Sequence, residues 1–133
     1  MNGFPEIKKN FGFGCMRLPM KDGEVNYAET CKMFDEFLAQ GFNYVDTAHG
    51  YLDGKSEVAV RECLVKRHDR SEYILTDKLT GSFFNKEDDV RPFFESQLKI
   101  LGVDYLVFTL CTRKTRTFFK NSKDAELTSR HLS

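Results

Sequence analysis

The stretch Phe-Asn-Tyr-Val-Asp-Thr-Ala-His-Gly-Tyr-Leu-Asp-Gly-Lys-Ser-Glu, residues 42–57, decides the fold. It begins with mostly apolar residues and reaches a charge at Asp46, which indicates a short strand buried on both faces. The following residues are rich in glycine and aspartate, as is typical of a loop, and Ser56 is placed to cap a helix. In parallel α/β folds, the chemistry lies at the carboxyl ends of the strands. Asp46 and Tyr51 are therefore candidate functional residues.

A second strand-like run, residues 73–79, also reaches a charge near its end, at Lys78. A free tyrosine has a pKa of about 10 and is therefore a proton donor at neutral pH. A nearby ammonium favours the ionised phenol, and a carboxylate beside that ammonium keeps it charged and in place. Together, Asp46, Tyr51 and Lys78 have the composition of a general acid for carbonyl reduction.

Strand-like and helix-like segments alternate along the chain at a step of about 31 residues. The strands are predicted to begin near residues 11, 42, 73 and 105. Units of this length indicate parallel strands joined by right-handed helical crossovers. Because an eight-fold barrel typically needs about 250 residues, the fold class is α/β, a partial TIM (β/α)8 barrel of about the first four βα units.

Capping residues set the limits of the intervening helices, predicted at about 27–40, 57–67 and 89–101. Asn26 is placed to cap the first helix, and Gly41 to end it. With Asp89 as the cap of the third helix, Pro92 falls in the first turn, where its missing N–H is not needed. Gly102 then ends that helix.

Four motifs carry a resemblance to a known family. They are Gly-Phe-Gly-Cys-Met-Arg-Leu-Pro at 12–19, Asn-Tyr-Val-Asp-Thr-Ala-x-x-Tyr-x-x-Gly-x-Ser-Glu at 43–57, Lys78, and Leu-x-x-Leu-Gly-x-Asp-Tyr at 98–105. In order and spacing they resemble the aldo/keto reductase family, over about residues 11–106. The chain is most similar to a bacterial branch whose longer members carry a C-terminal ferredoxin-like iron–sulfur segment, which these 133 residues do not contain.

The resemblance implies NAD(P)H-dependent reduction of a small aldehyde or ketone. Tyr51 would be the proton donor, Lys78 would make its proton easier to give, and Asp46 would pair with Lys78. NADPH or NADH would supply the hydride. The cofactor-binding residues that the resemblance implies are Gly14, Cys15, Met16 and Asp46. Gly12 and Gly14 lie inside the first strand, where either close packing or cofactor approach accounts for them.

The chain departs from the family pattern at Val107. Where the family has its carbonyl-orienting histidine, this chain has Thr112, and a hydroxyl cannot replace an imidazole. If codons are suitably chosen from Val107 onward, adding one nucleotide in codon 107 shifts the reading frame. The shifted frame encodes Asp in place of Val107, Tyr in place of Thr109 and His in place of Thr112. We therefore interpret 1–106 as the N-terminal half of an aldo/keto reductase barrel and 107–133 as an irregular, frameshifted tail. Such a chain is expected to be truncated and inactive alone, because the phosphate site of these barrels commonly follows strands seven and eight.

Two alternatives remain. Unpaired outer strands would expose backbone donors and acceptors, so the half-barrel would self-associate or pair with another chain. A non-catalytic α/β binding module is the other alternative, although a glycine-rich phosphate loop is missing after the first strand.

Composition limits the partners and the compartment. The chain has 20 basic and 20 acidic residues, so nothing indicates nucleic acid or an anionic membrane. No apolar run approaches the roughly 20 residues that span a bilayer, and the N-terminus lacks a signal-like segment. The four cysteines are far apart, which favours reduced thiols in a cytoplasmic protein with no metal site.

Overall fold

The structure is a computed structural model that describes residues 7–79, 83, 85–106 and 108–111. The strands are β1 (Gly12–Gly14), β2 (Met20–Lys21), β3 (Glu24–Val25), β4 (Tyr44–Asp46), β5 (Ile74–Leu79) and β6 (Phe108–Cys111). The α-helices are α1 (Tyr27–Ala39), α2 (Lys55–Val60) and α3 (Val90–Leu101). A π-helical segment, Arg61–Val65, continues α2, and 3-10 turns lie at Tyr51–Gly54, Arg70–Glu72 and Glu87–Asp89.

The main sheet has four parallel strands in the order β1-β4-β5-β6. Each strand lies beside the one that precedes it in this sheet, and each of the three crossovers contains a helix. At the carboxyl end, Gly14 is in register with Asp46, and Asp46 with Thr76. Sequential parallel strands with helical crossovers are the repeating unit of a (β/α)8 barrel, so the predicted partial barrel is confirmed.

Two features of the backbone differ from the prediction. A two-stranded antiparallel hairpin, β2-β3, follows β1, and its turn at Asp22 and Gly23 has φ values of 54° and 81°. In addition, β6 forms inside the segment predicted to be irregular, because parallel pairing with β5 uses backbone groups that every residue carries. The rest of the predicted tail, 112–133, lies outside the described residues.

The helix limits follow the predicted capping residues, but two of those residues do not cap through their side chains. Asp89 is the N-cap of α3 without a side-chain capping hydrogen bond. The Asn26 side chain accepts a hydrogen bond from Glu29 N at 3.2 Å, and Gly102 ends α3 at φ 74°. Pro92 lies in the first turn of α3, as predicted. The prediction that Ser56 is a helix cap was wrong: α2 begins at Lys55, and Ser56 lies within its first turn. Among the described residues, no helix is both long and apolar enough to cross a membrane.

The core lies between the sheet and the helices. Because side chains alternate along a strand, the in-register residues Phe13, Val45 and Leu75 share the face that the helices cover. Val45 and Leu75 are fully buried, and the Phe13 ring stacks on Phe34 of α1 with centroids 4.5 Å apart. The intervening residues, including Asp46, therefore project from the other face of the sheet.

The two glycines of β1 have different reasons to be glycine. A Cβ at Gly12 would lie 2.7 Å from Cδ1 of Tyr44, whereas a Cβ at Gly14 would meet nothing within 4 Å. We expect Gly12→Ala to destabilise the chain by about 1–3 kcal/mol, because the ring beside it must shift. Gly14→Ala is the matched control and is expected to change stability by less than about 1 kcal/mol. Urea unfolding followed by circular dichroism measures both, and equal losses would contradict the steric explanation.

Candidate active site

Asp46 and Lys78 form an ion pair at the carboxyl end of the sheet. Since Asp46 is in register with Thr76, Lys78 lies two residues further along β5 on the same face. Its Nζ atom is 2.7 Å from Asp46 Oδ2 and also donates to the backbone oxygen of Thr47 at 3.2 Å. Both side chains are 23% exposed, so solvent screens this pair only in part.

Tyr51 completes the predicted set. It begins the turn after β4, and Lys78 Nζ lies 4.6 Å from the centroid of its ring. Burial lowers the pKa of Lys78, but hydrogen bonds with Asp46 and Tyr51 outweigh burial, so the net pKa is raised above its usual value. The structure thus brings together the carboxylate, the phenol and the ammonium that the sequence predicted.

The turn that presents Tyr51 has unusual backbone geometry. Leu52, Asp53 and Gly54 have φ values of 53°, 56° and 87°, and non-glycine residues adopt this left-handed region at a cost. The Leu52 side chain packs against the core, which holds the turn in place. Strained backbone is retained where the surrounding structure determines it, commonly beside functional residues.

Ser56 ties three segments together below the site. Its hydroxyl donates to the backbone oxygen of Cys15 at 2.9 Å and lies 2.8 Å from Thr47 Oγ1. Cys15 N in turn donates to the backbone oxygen of Asp46 at 2.9 Å. The ends of β1 and β4 are therefore joined to α2 through one buried hydroxyl, which explains the serine better than helix capping does.

Replacing Ser56 by alanine is expected to cost about 1–3 kcal/mol, because the buried groups it contacts lose their partner. Ser96→Ala is the matched control, since the Ser96 hydroxyl is exposed and donates to Phe93 O of its own helix at 2.6 Å. That control is expected to stay within about 0.5 kcal/mol of the parent. Thermal unfolding of both variants checks the difference, and a neutral Ser56→Ala would contradict the bridging role.

The residues implied for cofactor binding occupy different environments. Gly14 has open space where a side chain would be, and Asp46 Oδ1 is buried with no hydrogen-bond partner among the described residues. Met16 is 55% exposed. Cys15 is fully buried, and burial is the largest cause that raises the pKa of its thiol. An acceptor without a partner at Asp46 and an open backbone at Gly14 fit a hydroxyl-bearing cofactor, which these two residues would hold. The Cys15 side chain belongs to the core.

Sequence reasoning missed the buried polar groups on the helix side of the site. Glu57, Asp77 and Gln97 are fully buried. His49, interpreted from the sequence as a loop residue, contacts Glu57 Oε1 through Nδ1 at 2.6 Å. Glu57 ends the family motif at 43–57, but a lone polar residue in a helix or strand pattern normally indicates a solvent-facing position, so the sequence did not predict this buried cluster.

His49 also belongs to an aromatic group formed with Phe83 and Phe93. Its ring meets Phe83 and Phe93 edge-on, with centroids 4.8 and 5.2 Å away. Phe83 and Phe93 are stacked at 5.8 Å, and Phe83 is 44% exposed. An accessible aromatic surface therefore lies two residues along the chain from Tyr51.

Sequence relatives match about half of the chain. Norsolorinic acid reductase B of Dothistroma septosporum is 37% identical over 67 residues, which are 50% of this chain and 17% of that protein. An aryl-alcohol dehydrogenase of Pestalotiopsis microspora is 35% identical over 60 residues, 45% of this chain and 16% of that protein. These matches span less than a fifth of the length of either relative.

Solved structures match the fold. An aldo-keto reductase of Klebsiella pneumoniae in complex with NADPH superposes with a TM-score of 0.65 at 22% identity, covering 86% of this chain and 41% of that one. An aldo-keto reductase of Bacillus halodurans gives a TM-score of 0.61 at 26% identity, covering 76% and 35%. The sequence model of the aldo/keto reductase family matches residues 10–116, which extends beyond the four motifs. This chain belongs to the aldo/keto reductase family, a family of oxidoreductases.

Proposed function

We propose that this chain supplies the proton-donating half of a reductase that uses NADPH to reduce aldehydes or ketones. The observation that carries the proposal is the contact of Lys78 with both Asp46 and Tyr51. The Tyr51 hydroxyl donates a proton to the carbonyl oxygen, and the Lys78 ammonium stabilises the phenolate that remains. Asp46 holds the ammonium in place. The cofactor, when bound, supplies the hydride.

An aryl aldehyde is the substrate class that the site favours. His49, Phe83 and Phe93 present ring edges and faces beside the turn of Tyr51. Aromatic rings attract other rings in edge-to-face or offset-stacked arrangements. Several relatives are aryl-alcohol dehydrogenases by name, which agrees with a substrate that carries a ring. Benzaldehyde is therefore a suitable probe, with acetaldehyde as the probe without a ring.

Completion of the barrel is the second part of the proposal. The described sheet has four parallel strands, with β1 and β6 as its outer strands. Beside β1 lies an open groove of about 530 Å³. Its apolar lining includes Phe11, Phe13, Met33, Phe37 and Phe42. β1 pairs with β4 on one side and has no neighbour among the described strands on the other. A free strand edge next to an apolar groove suits a further strand–helix unit. We propose that the chain alone turns over no carbonyl substrate and that a second chain must supply the opposite wall.

Complementation tests this function. The 133-residue chain is mixed with a polypeptide that contains the last four strand–helix units of the Klebsiella pneumoniae aldo-keto reductase, and NADPH oxidation is followed with benzaldehyde. We expect oxidation only in the mixture, faster than with acetaldehyde. Equal activity of the isolated 133-residue chain would overturn the need for a second wall, and a mixture that binds NADPH without turnover would favour the non-catalytic binding module.

Self-association is the alternative way to cover the outer strands. The groove beside β1 favours it as well, because a second copy offers the same backbone edge. Sedimentation of the isolated chain distinguishes the two. A concentration-dependent dimer would indicate a second copy, and a monomer that becomes a heterodimer on mixing would indicate the other half of the barrel.

A further inference from the structure

Two acidic side chains meet between the sheet and the helices, directly behind the Lys78 site. Asp77 is on β5, and because strand side chains alternate, it faces the helices while Lys78 faces the other way. Glu57 projects from the first turn of α2 toward it. Both residues are fully buried, and Gln97 Nε2 lies against both Glu57 Oε2 and the backbone oxygen of Lys78, the residue after Asp77. The two carboxyl groups are close enough that each shifts the pKa of the other.

Two buried carboxyl groups this close to each other require a proton. Asp77 Oδ1 accepts a hydrogen bond from Lys78 N at 2.8 Å, whereas Asp77 Oδ2 is buried and receives none from a donor group among the described residues. Two ionised carboxylates in contact away from water would repel strongly. One proton between them turns that repulsion into a charge-assisted hydrogen bond and satisfies the orphaned oxygen.

The same pair is connected to both halves of the proposed site. Glu57 Oε1 bonds His49, in the loop that leads to Tyr51. Gln97 Nε2 of α3 lies 3.4 Å from Glu57 Oε2 and donates to the backbone oxygen of Lys78 at 3.0 Å. A continuous chain of hydrogen bonds therefore runs from the tyrosine loop to the lysine strand.

We propose that Asp77 and Glu57 share one proton at neutral pH and that this shared proton holds the tyrosine loop against the lysine strand. Asp77 and Glu57 are positioning residues in this proposal, since neither contacts the reacting atoms. The positioning role rests on the proposed function, whereas the shared proton is a property of the folded chain alone.

The electrostatic surroundings agree with a retained proton. Burial is the largest cause that raises the pKa of Asp77, and contact with Glu57 adds to it, so that pKa lies at about 9. Burial also raises the pKa of Glu57. Among the described residues, the charged or titratable groups that face the pair are Lys78 from β5, His49 from the loop and the Cys15 thiol after β1. Gln97 is the neutral contact from α3. The Lys78 ammonium lowers the pKa of Asp77, but it is itself paired with Asp46 on the opposite face of the sheet.

The pH dependence of stability has a definite sign. A carboxyl whose folded-state pKa is raised from 3.8 to about 9 stabilises the fold fully below the lower value. That stabilisation is lost as the pH rises and is gone above about 9. Asp77→Asn replaces the shared proton by an amide hydrogen that stays at every pH. The folding equilibrium constant of the parent should therefore fall relative to Asp77→Asn by about tenfold per pH unit between about pH 5 and 8.

The experiment is urea unfolding of the full 133-residue chain and of Asp77→Asn across that range, with Asp104→Asn as an exposed control. The control should run parallel to the parent. A constant difference between the parent and Asp77→Asn would overturn the proposal.

Infrared spectroscopy gives a second measurement that does not compare stabilities. The parent at pH 7 should show a protonated carboxylic acid band that Asp77→Asn lacks, and absence of that band from the parent would also overturn the proposal. Neither measurement uses NADPH or a carbonyl, so failure of the proposed function would leave both results standing.

Discussion

Tyr51→Phe is expected to lower carbonyl reduction by the completed barrel about 10²–10⁴-fold, because general acid catalysis contributes that much. The variant keeps the ring beside Lys78 and loses only the hydroxyl, so NADPH binding and the Asp46–Lys78 pair should persist. The loss should appear in kcat with little change in KM, since the proton moves only in the transition state. Steady-state NADPH oxidation with benzaldehyde in the complemented mixture measures it.

Tyr105→Phe is the matched control for the loss of a phenol. The Tyr105 side chain is 49% exposed, and its ring lies against Arg70, away from the site. Its variant should retain the parent kcat within about twofold. If Tyr51→Phe retained more than about a tenth of the parent kcat, the proton would have to come from another group, and the proposed role of Tyr51 would be wrong.

Local signals account for most of what the sequence predicted. Asn26, Pro92 and Gly102 act through a single helical turn, so their effects are readable from neighbouring residues. Asp46 and Lys78 lie at strand ends, and parallel strands bring such ends together whatever the intervening helix contains. The partial barrel and the core of the site therefore followed from spacing and from the four family motifs.

The parts that the sequence did not predict depend on distant partners. Glu57 and Gln97 are 40 positions apart, and the pattern within either helix does not indicate that the two side chains meet. Ser56 resembled a helix cap because that pattern is local, whereas the groups it binds come from other strands. The strands of the β2-β3 hairpin have two residues each, too few to show a period.

Leu75→Ala is expected to cost about 2–5 kcal/mol, a large share of the roughly 5–15 kcal/mol that keeps a typical domain folded. Leu75 is fully buried on β5, which has a paired strand on each side, so few atoms are free to close the cavity. A half-barrel buries less apolar surface than a whole barrel, so its margin of stability is smaller. Complementation should therefore fail with this variant at concentrations that suffice for the parent. Urea unfolding should show a lower midpoint at an unchanged slope.

Met33→Ala, at a side chain 36% exposed on α1, should stay within about 0.5 kcal/mol of the parent. A Leu75→Ala loss as small as the Met33→Ala loss would mean that the helices do not pack on the sheet in solution, and the site at its end would then have no rigid support.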